Sequence, residues 1–594
     1  MLNIITQKIE KFCNFILKPI RENTIFFVSL YLVGIFLTFL PVFSLHHKLL
    51  RISFFTWSFD IYIICLFLLL FQPNARKWGR LIIAVPFYFF AIVDAFCVVT
   101  HYTNFNSEIL NLILDTNNRE ASEYVNQYLR SDIFLSPIGV ILIIIILHLY
   151  FKNKNVFAFL FTSKTKTIIV SKLIITIYIL TSIGLSLPFR GEFIQLLRAK
   201  SIFEIDEHVS YQALNTPIKN LIFGFKLRGL EKQELGNLAK VQQNIQIDSC
   251  TYNSPEIVFI IGESYIKSHS QLYGYPKETT PLQKQRTIDS GNGILIPFTD
   301  VITTSNYTST VFKNIFSLKS IDDQKDWGKS SLFPVLFRKA KYHVSFITSQ
   351  FVQDSRRDIF DLTGGLFLNN NEISSLSFDC RNNKDLRYDE TLLEYYDSLK
   401  VYNKEYNLTI FHMIGQHIDF YKRSPKEWKK FQLKDYQDRQ DINEQEKIYV
   451  ADYDNATLYN DYVVDQIIKR FENKDAVVIY MPDHGEGCYD GGHRLGRMPK
   501  GEYSKSILQN EYDIPFWIWC SKMYQENHPH FFQQIKDAQN RPFMTDDIPH
   551  LLLYLGGIKC HEYQEKKNLI SPYYDVHRKR LLNGEIDYDS IIRK

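Results

Sequence analysis

"VIYMPDHGEG", residues 478–487, decides how this chain is read. Four apolar residues run to Met481, Pro482 closes the run, and Asp483 and His484 follow at once. A short unbroken apolar run describes a strand buried on both faces of a parallel sheet. In doubly wound α/β folds the carboxyl ends of such strands are where ligands bind. Gly485 and Gly487 would let the backbone turn sharply behind the polar pair.

A second stretch, "EIVFIIGES" at 256–264, repeats the pattern and delivers Glu263 just past an apolar run. Two carboxylates and an imidazole form a hard-to-borderline donor set suited to Zn²⁺ or Mn²⁺. Three protein ligands leave a coordination position open for chemistry. "LYNDYVVDQIIKRF" (458–471) places apolar residues at 464, 467, 468 and 471, a helical stripe directly ahead of the 476–481 strand. Helix then strand suits a parallel sheet with crossover helices. "VITTSNYTSTVFKNIFS" (301–317) is dense in hydroxyls and leads into an apolar helical stretch. A hydroxyl at a helix N-terminus faces the positive end of the dipole, which favours a phosphate there. Metal coordination can turn such a hydroxyl into a nucleophile. By composition alone Thr303, Thr304, Ser305, Thr308, Ser309 and Thr310 are equal candidates.

The first third of the chain is of another kind. The 594 residues exceed one ordinary domain, and 46 Phe and 36 Tyr are many for a soluble protein. Apolar runs at 24–45, 54–71, 81–100, 133–151 and 167–189 are each long enough to cross a hydrocarbon core of ~30 Å. The first is too long, and too closely followed by others, for a cleavable signal peptide. Lys8, Lys11, Lys18 and Arg21, then Arg76, Lys77 and Arg80, then Lys152, Lys154, Lys164 and Lys166 alternate as segments on one side, the cytoplasm; Lys48 and Arg51 dissent. Five crossings from an inside N-terminus put everything after residue 189 outside, in a bacterium the periplasm. Asp60 and Asp94 interrupt apolar runs, and an intramembrane acid is costly enough to need a function or a partner, such as Arg51 or His101. The loop 101–132 carries "SEILNLILDTNNREASEYVNQYL", the mixture expected of an amphipathic helix on the bilayer surface. The expected organisation is therefore an all-α five-helix transmembrane domain (1–190), a connecting arm (191–253) and an α/β domain (254–594). The net charge of +4 does not argue for nucleic acid. Eight cysteines without a CxxC pair make neither a disulfide framework nor a zinc knuckle, with one or two disulfides left open.

Taken in order, "GESYIKSHSQLYGYPKETTP", "NYTS", "FHMIGQHIDFYKRSP", "YDNATLYNDYVVDQII" and "PDHGEGCYDGGHRLGRMP" resemble the bacterial phosphoethanolamine transferases. These are five-helix inner-membrane enzymes with a periplasmic domain of the alkaline phosphatase/sulfatase type. The resemblance implies that Glu263, Asp483 and His484 bind zinc, one ion or two. It implies that Thr308 is the nucleophile, a further zinc ligand and the carrier of a phosphoethanolamine intermediate. It implies that His417 and His493 bind substrate or a second zinc, and that Thr116 and Glu120 meet the lipid. Phosphatidylethanolamine would be the donor and an envelope glycolipid such as lipid A the acceptor, with a monomer working among membrane lipids. Adding ethanolamine's cation would lower surface negative charge and weaken binding of cationic peptides. Two departures stand out. The asparagine usual four residues before Thr116 is Leu112, with Asn111 beside it, and the disulfide that flanks the nucleophile in the lipid A-modifying branch maps onto Thr304 and Asn314. The sulfatase signature C/S-x-P-x-R does not occur in the α/β region 254–594; its match in the chain, Ser186–Arg190, falls at the end of the fifth apolar run. A phosphoglycerol transferase of the lipoteichoic acid synthase type is the alternative enzyme, and a scaffold with a relic site the alternative class.

Overall fold

The computed structural model describes residues 2–40, 47–101, 105, 135–152, 165–200, 217–288, 291–323, 325–350, 367–382, 388–417, 419–491, 494–497 and 503–592. The chain divides into two compact units, Met1–Glu234 and Leu235–Lys594.

In the first unit the apolar runs form helices Thr24–Phe39, His47–Leu68, Pro73–His101, Pro137–Phe151 and Lys166–Arg198. Among the described residues, Pro73–Val99 (27 residues) and Thr167–Leu187 (21 residues) are long and apolar enough to cross a membrane; Thr24–Phe39, Ser53–Leu68 and Pro137–Phe151 are apolar but shorter. Their shared core includes Leu30, Trp57, Ala91 and Ile141. Ile82, Phe89, Ile143, Ile146, Ile174 and Leu187 are exposed instead, an apolar exterior that water does not tolerate on this scale. Asp60 is met by Lys219 Nζ at 3.0 Å, and Asp94 Oδ1 accepts from the Phe105 amide at 2.7 Å. The side chains of Arg51 and His101 lie outside those described. The segment expected to be a connecting arm contains a helix, Pro217–Asn244.

The second unit is built on a seven-stranded sheet. In chain order its strands are β1 (Glu256–Gly262), β2 (Gly293–Phe298), β3 (His343–Thr348), β4 (Cys380–Arg381), β5 (Asn407–His412), β6 (Ala476–Pro482) and β7 (Phe516–Ser521). Their spatial order is β2-β7-β6-β1-β5-β3-β4. β6, β1, β5, β3 and β4 are parallel, while β7 and β2 run antiparallel to their neighbours. The unbroken apolar runs follow from cores on both faces. In β1, Ile257, Phe259 and Ile261 enter one core, and Val258 and Ile260 enter the other; in β6, Val477, Ile479 and Met481 alternate in the same way with Val478 and Tyr480. Helix Glu444–Lys469 covers the second face with Val463, Val464, Ile467 and Ile468. Helices Thr308–Phe316, Phe333–Lys339 and Ile548–Gly556 cover the first. Each buried aliphatic side chain in such a core contributes roughly 1.5–3 kcal/mol. Register then sets the site, because β1 pairs Ile261 with Met481 of β6 on one side and with His412 of β5 on the other. Three adjacent strands thus end at one level with Asp483–His484, Glu263 and the loop leading to His417.

Candidate active site

Glu263, Asp483 and His484 are fully buried, and one ligand atom from each lies within 4.8 Å of the others. His484 Nε2 is 3.2 Å from Asp483 Oδ2 and 3.5 Å from Glu263 Oε1. Backbone geometry aims each group. Ser264, just past β1, adopts left-handed φ 55, a conformation that costs energy for a residue with a Cβ. There its amide donates to Asp483 Oδ1 at 3.1 Å and its hydroxyl donates to Glu263 Oε1 at 2.7 Å. The His484 amide also donates to Asp483 Oδ1, at 2.7 Å. Gly485 cannot be replaced cheaply, because a Cβ there would be driven into the Asn510 carbonyl oxygen. Gly415 plays the same part in the His417 loop, with φ +46 and the Glu263 backbone 2.9 Å from where a Cβ would stand.

These details fit a divalent cation. Asp483 has Oδ1 occupied by two amides, while Oδ2 is buried and has no hydrogen-bond partner among the described residues. A buried unpaired carboxylate oxygen is expensive unless something cationic takes it. His484 Nδ1 lies 2.6 Å from the Gly485 carbonyl oxygen, which makes it the donor and leaves the Nε2 lone pair facing the two carboxylates. Burial, helped by Arg497, pushes the His484 pKa down to about 3, so the imidazole is neutral and able to ligate. Burial would raise Glu263, but the positive charge around it, the Arg497 guanidinium included, and the Ser264 hydroxyl outweigh it and hold the group well below the ordinary carboxylate range. Burial, and then the charge on Glu263, push Asp483 well above that range.

Helix Thr308–Phe316 brings the hydroxyl. Thr308 is its first residue, so Oγ1 stands at the positive end of the helix. Oγ1 donates to Glu263 Oε2 at 3.4 Å and lies 3.2 Å from His484 Nε2. Two of the other nearby hydroxyls are hydrogen-bonded elsewhere: Ser305 Oγ accepts from the Tyr307 amide at 3.3 Å, and Thr304 Oγ1 accepts from Asn314 Nδ2 at 2.9 Å. That last bond joins the two positions where a disulfide flanks the nucleophile in the lipid A-modifying branch. All eight cysteines are free.

His417 sits in the adjoining loop and acts electrostatically on both Glu263 and His484. His493, Thr116 and Glu120 lie outside the described residues. Sequence reasoning missed three contributors. Gln350, two residues past β3, donates from Nε2 to Glu263 Oε2 at 3.3 Å. Glu486 is buried, and burial, opposed by Arg497, raises its pKa to about 7. Arg497 Nη1 is 2.7 Å from His484 Nε2 and donates to the Asn306 carbonyl at 2.9 Å. Gln350 follows a strand end, as Glu263 does, and that rule would have flagged it. A second buried cluster braces the site. His269 places Nδ1 2.6 Å from Asp454 Oδ1 and Nε2 3.0 Å from Asp490 Oδ2. Burial alone would lower its pKa, but Asp490 and Asp454 raise it to about 10, so it is an imidazolium. It ties the segment after Glu263 to the segment after His484.

The phosphoethanolamine transferase EptC of Escherichia coli K12 is 24% identical over 518 residues, covering 84% of this chain and 85% of its own. EptA of Helicobacter pylori is 28% identical over 354 residues, 58% of this chain and 62% of its own. The integral membrane lipooligosaccharide phosphoethanolamine transferase A of Neisseria meningitidis superposes with a TM-score of 0.54 at 17% identity, covering 92% of this chain and 98% of that one, a likeness of fold. The expected kinship with phosphoethanolamine transferases is borne out. The sulfatase family matches residues 255–558, just over half of the chain, around the strands and ligands described above, and this chain belongs to that family.

Proposed function

We propose that this protein is a zinc-dependent, membrane-anchored phosphoethanolamine transferase with Thr308 as its nucleophile. The observation that carries the reading is the contact of one helix-terminal hydroxyl with a buried cluster of two carboxylates and a neutral imidazole. Glu263, Asp483 and His484 would hold the ion, and Thr308 Oγ1 lies beside all three. When bound, zinc supplies Lewis acidity to the hydroxyl and to the phosphoryl oxygens. Thr308 Oγ1 attacks the phosphorus of phosphatidylethanolamine, giving up the proton that it shares with Glu263 Oε2. The new Oγ–P bond replaces the bond to diacylglycerol, whose departing oxygen takes up a proton. An acceptor group of an envelope glycolipid then attacks the phosphothreonine in line, and Thr308 regains its proton. Two displacements give ping-pong kinetics. His417 would meet the substrate phosphate, and its electrostatic influence on Glu263 and His484 supports that reading; His493, Thr116 and Glu120 keep the substrate contacts implied by resemblance.

The outward-facing apolar helices and the Lys/Arg pattern support an inner-membrane, multi-pass protein with its α/β domain in the periplasm. Anchoring at the leaflet raises the effective concentration of a lipid donor. Incubating the purified protein with phosphatidylethanolamine and weighing it intact tests the chemistry. A phosphoethanolamine increment is expected in wild type and absent in Thr308→Ala; an increment that survives the substitution would reject Thr308. Mass spectrometry of envelope lipids with and without the gene should identify the acceptor.

A further inference from the structure

Arg497 has no place in the reading so far, yet its guanidinium stands in the middle of the site. It is three-quarters buried, its Nη1 reaches the Asn306 carbonyl at 2.9 Å, and it lies over the Tyr307 ring at 5.8 Å. Those are the two residues directly before Thr308. The same Nη1 is 2.7 Å from His484 Nε2, the nitrogen that Thr308 Oγ1 approaches at 3.2 Å. Guanidinium and hydroxyl therefore converge on one nitrogen.

The partners of Arg497 are informative in their kind. Nη1 spends its hydrogens on neutral atoms, a carbonyl oxygen and an imidazole nitrogen, and the carboxylate of Glu486 approaches Nε only to 3.7 Å. A buried arginine usually satisfies its planar fork with a carboxylate or a phosphate, often in bidentate fashion. Here the guanidinium lies in the field of Glu486, Glu263 and Asp483, yet among the described residues its fork is hydrogen-bonded to no carboxylate. A cation held by His484 would claim the Nε2 lone pair, and Nη1 would then need another acceptor within reach. The non-bridging oxygens of a phosphoryl group on Thr308 are acceptors of the right charge in the right place, and a fixed donor aimed at developing phosphoryl charge is how such transfers are stabilised.

We propose that Arg497 is a catalytic residue, the fixed cation that grips the non-bridging oxygens of the phosphoryl group as it passes to and from Thr308. The proposal rests on the phosphoryl-transfer reading above. Its test uses the full-length protein in detergent, zinc-loaded, with Arg497→Gln, Arg497→Lys and Arg497→Ala. Metal content is measured first, then the affinity for inorganic phosphate in a Thr308→Ala background, then the rate of adduct formation from phosphatidylethanolamine. The expected result is wild-type zinc content, phosphate affinity weakened about tenfold or more, and adduct formation slowed about a hundredfold. Added guanidinium should recover part of the rate in Arg497→Ala but not in Arg497→Gln, whose side chain fills the space. Phosphate affinity and adduct rate both within twofold of wild type, with zinc retained, would overturn the proposal. So would loss of zinc from every variant, which would make Arg497 a support for the ligands. Tighter zinc binding with phosphate affinity unchanged would make it a mere occupant of the cation position, and would also overturn it. Arg497-dependent phosphate binding in a wild-type protein that forms no adduct would keep the anion site and reject the transfer chemistry.

Discussion

At the residue scale, the site is a problem of proton accounting. Asp483 in the cation-free site is pushed well above the ordinary carboxylate range by burial and by Glu263, so a proton competes with a cation for it. His484 enters already neutral, with its pKa near 3. Zinc affinity should therefore rise with pH until Asp483 ionises unaided. Competition titration across pH should show that rise, with proton release on loading seen in weakly buffered solution. Glu263, Asp483 and His484 were legible in the sequence because each follows an apolar run that only a doubly covered strand explains. Thr308 was not separable from its five neighbouring hydroxyls by composition, since what distinguishes it is the register of one helix turn. Arg497 lay inside the family-like motif "PDHGEGCYDGGHRLGRMP", but nothing in the motif marked it as a partner of His484. Its contact with His484, thirteen residues earlier, has no periodicity or strand-end rule to announce it.

At the scale of elements, three parallel strands give the site its floor, and the loops between them need bracing. His269 supplies that brace through two carboxylates, one on the helix Glu444–Lys469 and one in the loop beyond His484. Removing one member of a buried ion cluster costs about 3–5 kcal/mol because the remaining charges lose their partner. His269→Gln should therefore lower unfolding stability by that order, measured by denaturant titration. The linkage has a definite sign. The folded pKa, about 10, exceeds the ordinary 6.5, so the stabilisation is complete below pH 6.5 and is lost as pH climbs towards 10. The gap between wild type and variant should shrink over that window. The sequence placed His269 inside the family-like motif "GESYIKSHSQLYGY" but offered no sign of its two partners, which lie about 185 and 221 residues further on.

At the scale of the whole molecule, the helical first unit and the α/β second unit each have their own core. Residues 235–594 made alone should fold, bind zinc and accept phosphoethanolamine from a short-chain soluble donor. Turnover on donor embedded in vesicles should fall at least tenfold, because the leaflet no longer supplies the local concentration. Equal turnover on both donors would show that the helical unit does not serve delivery. The broad division between an apolar third and an α/β remainder was readable from hydropathy, whereas the break at Glu234 falls inside a helix and has no compositional mark. The eight free thiols and the Thr304–Asn314 bond, finally, bear on how the protein matures. A hydroxyl and a carboxamide find each other as the chain collapses, with no electron acceptor, no isomerase and no wrong pairing to undo. The catalytic unit should reach its active shape equally well in oxygen-starved or thiol-rich surroundings, and dithiothreitol should leave its melting temperature where it was.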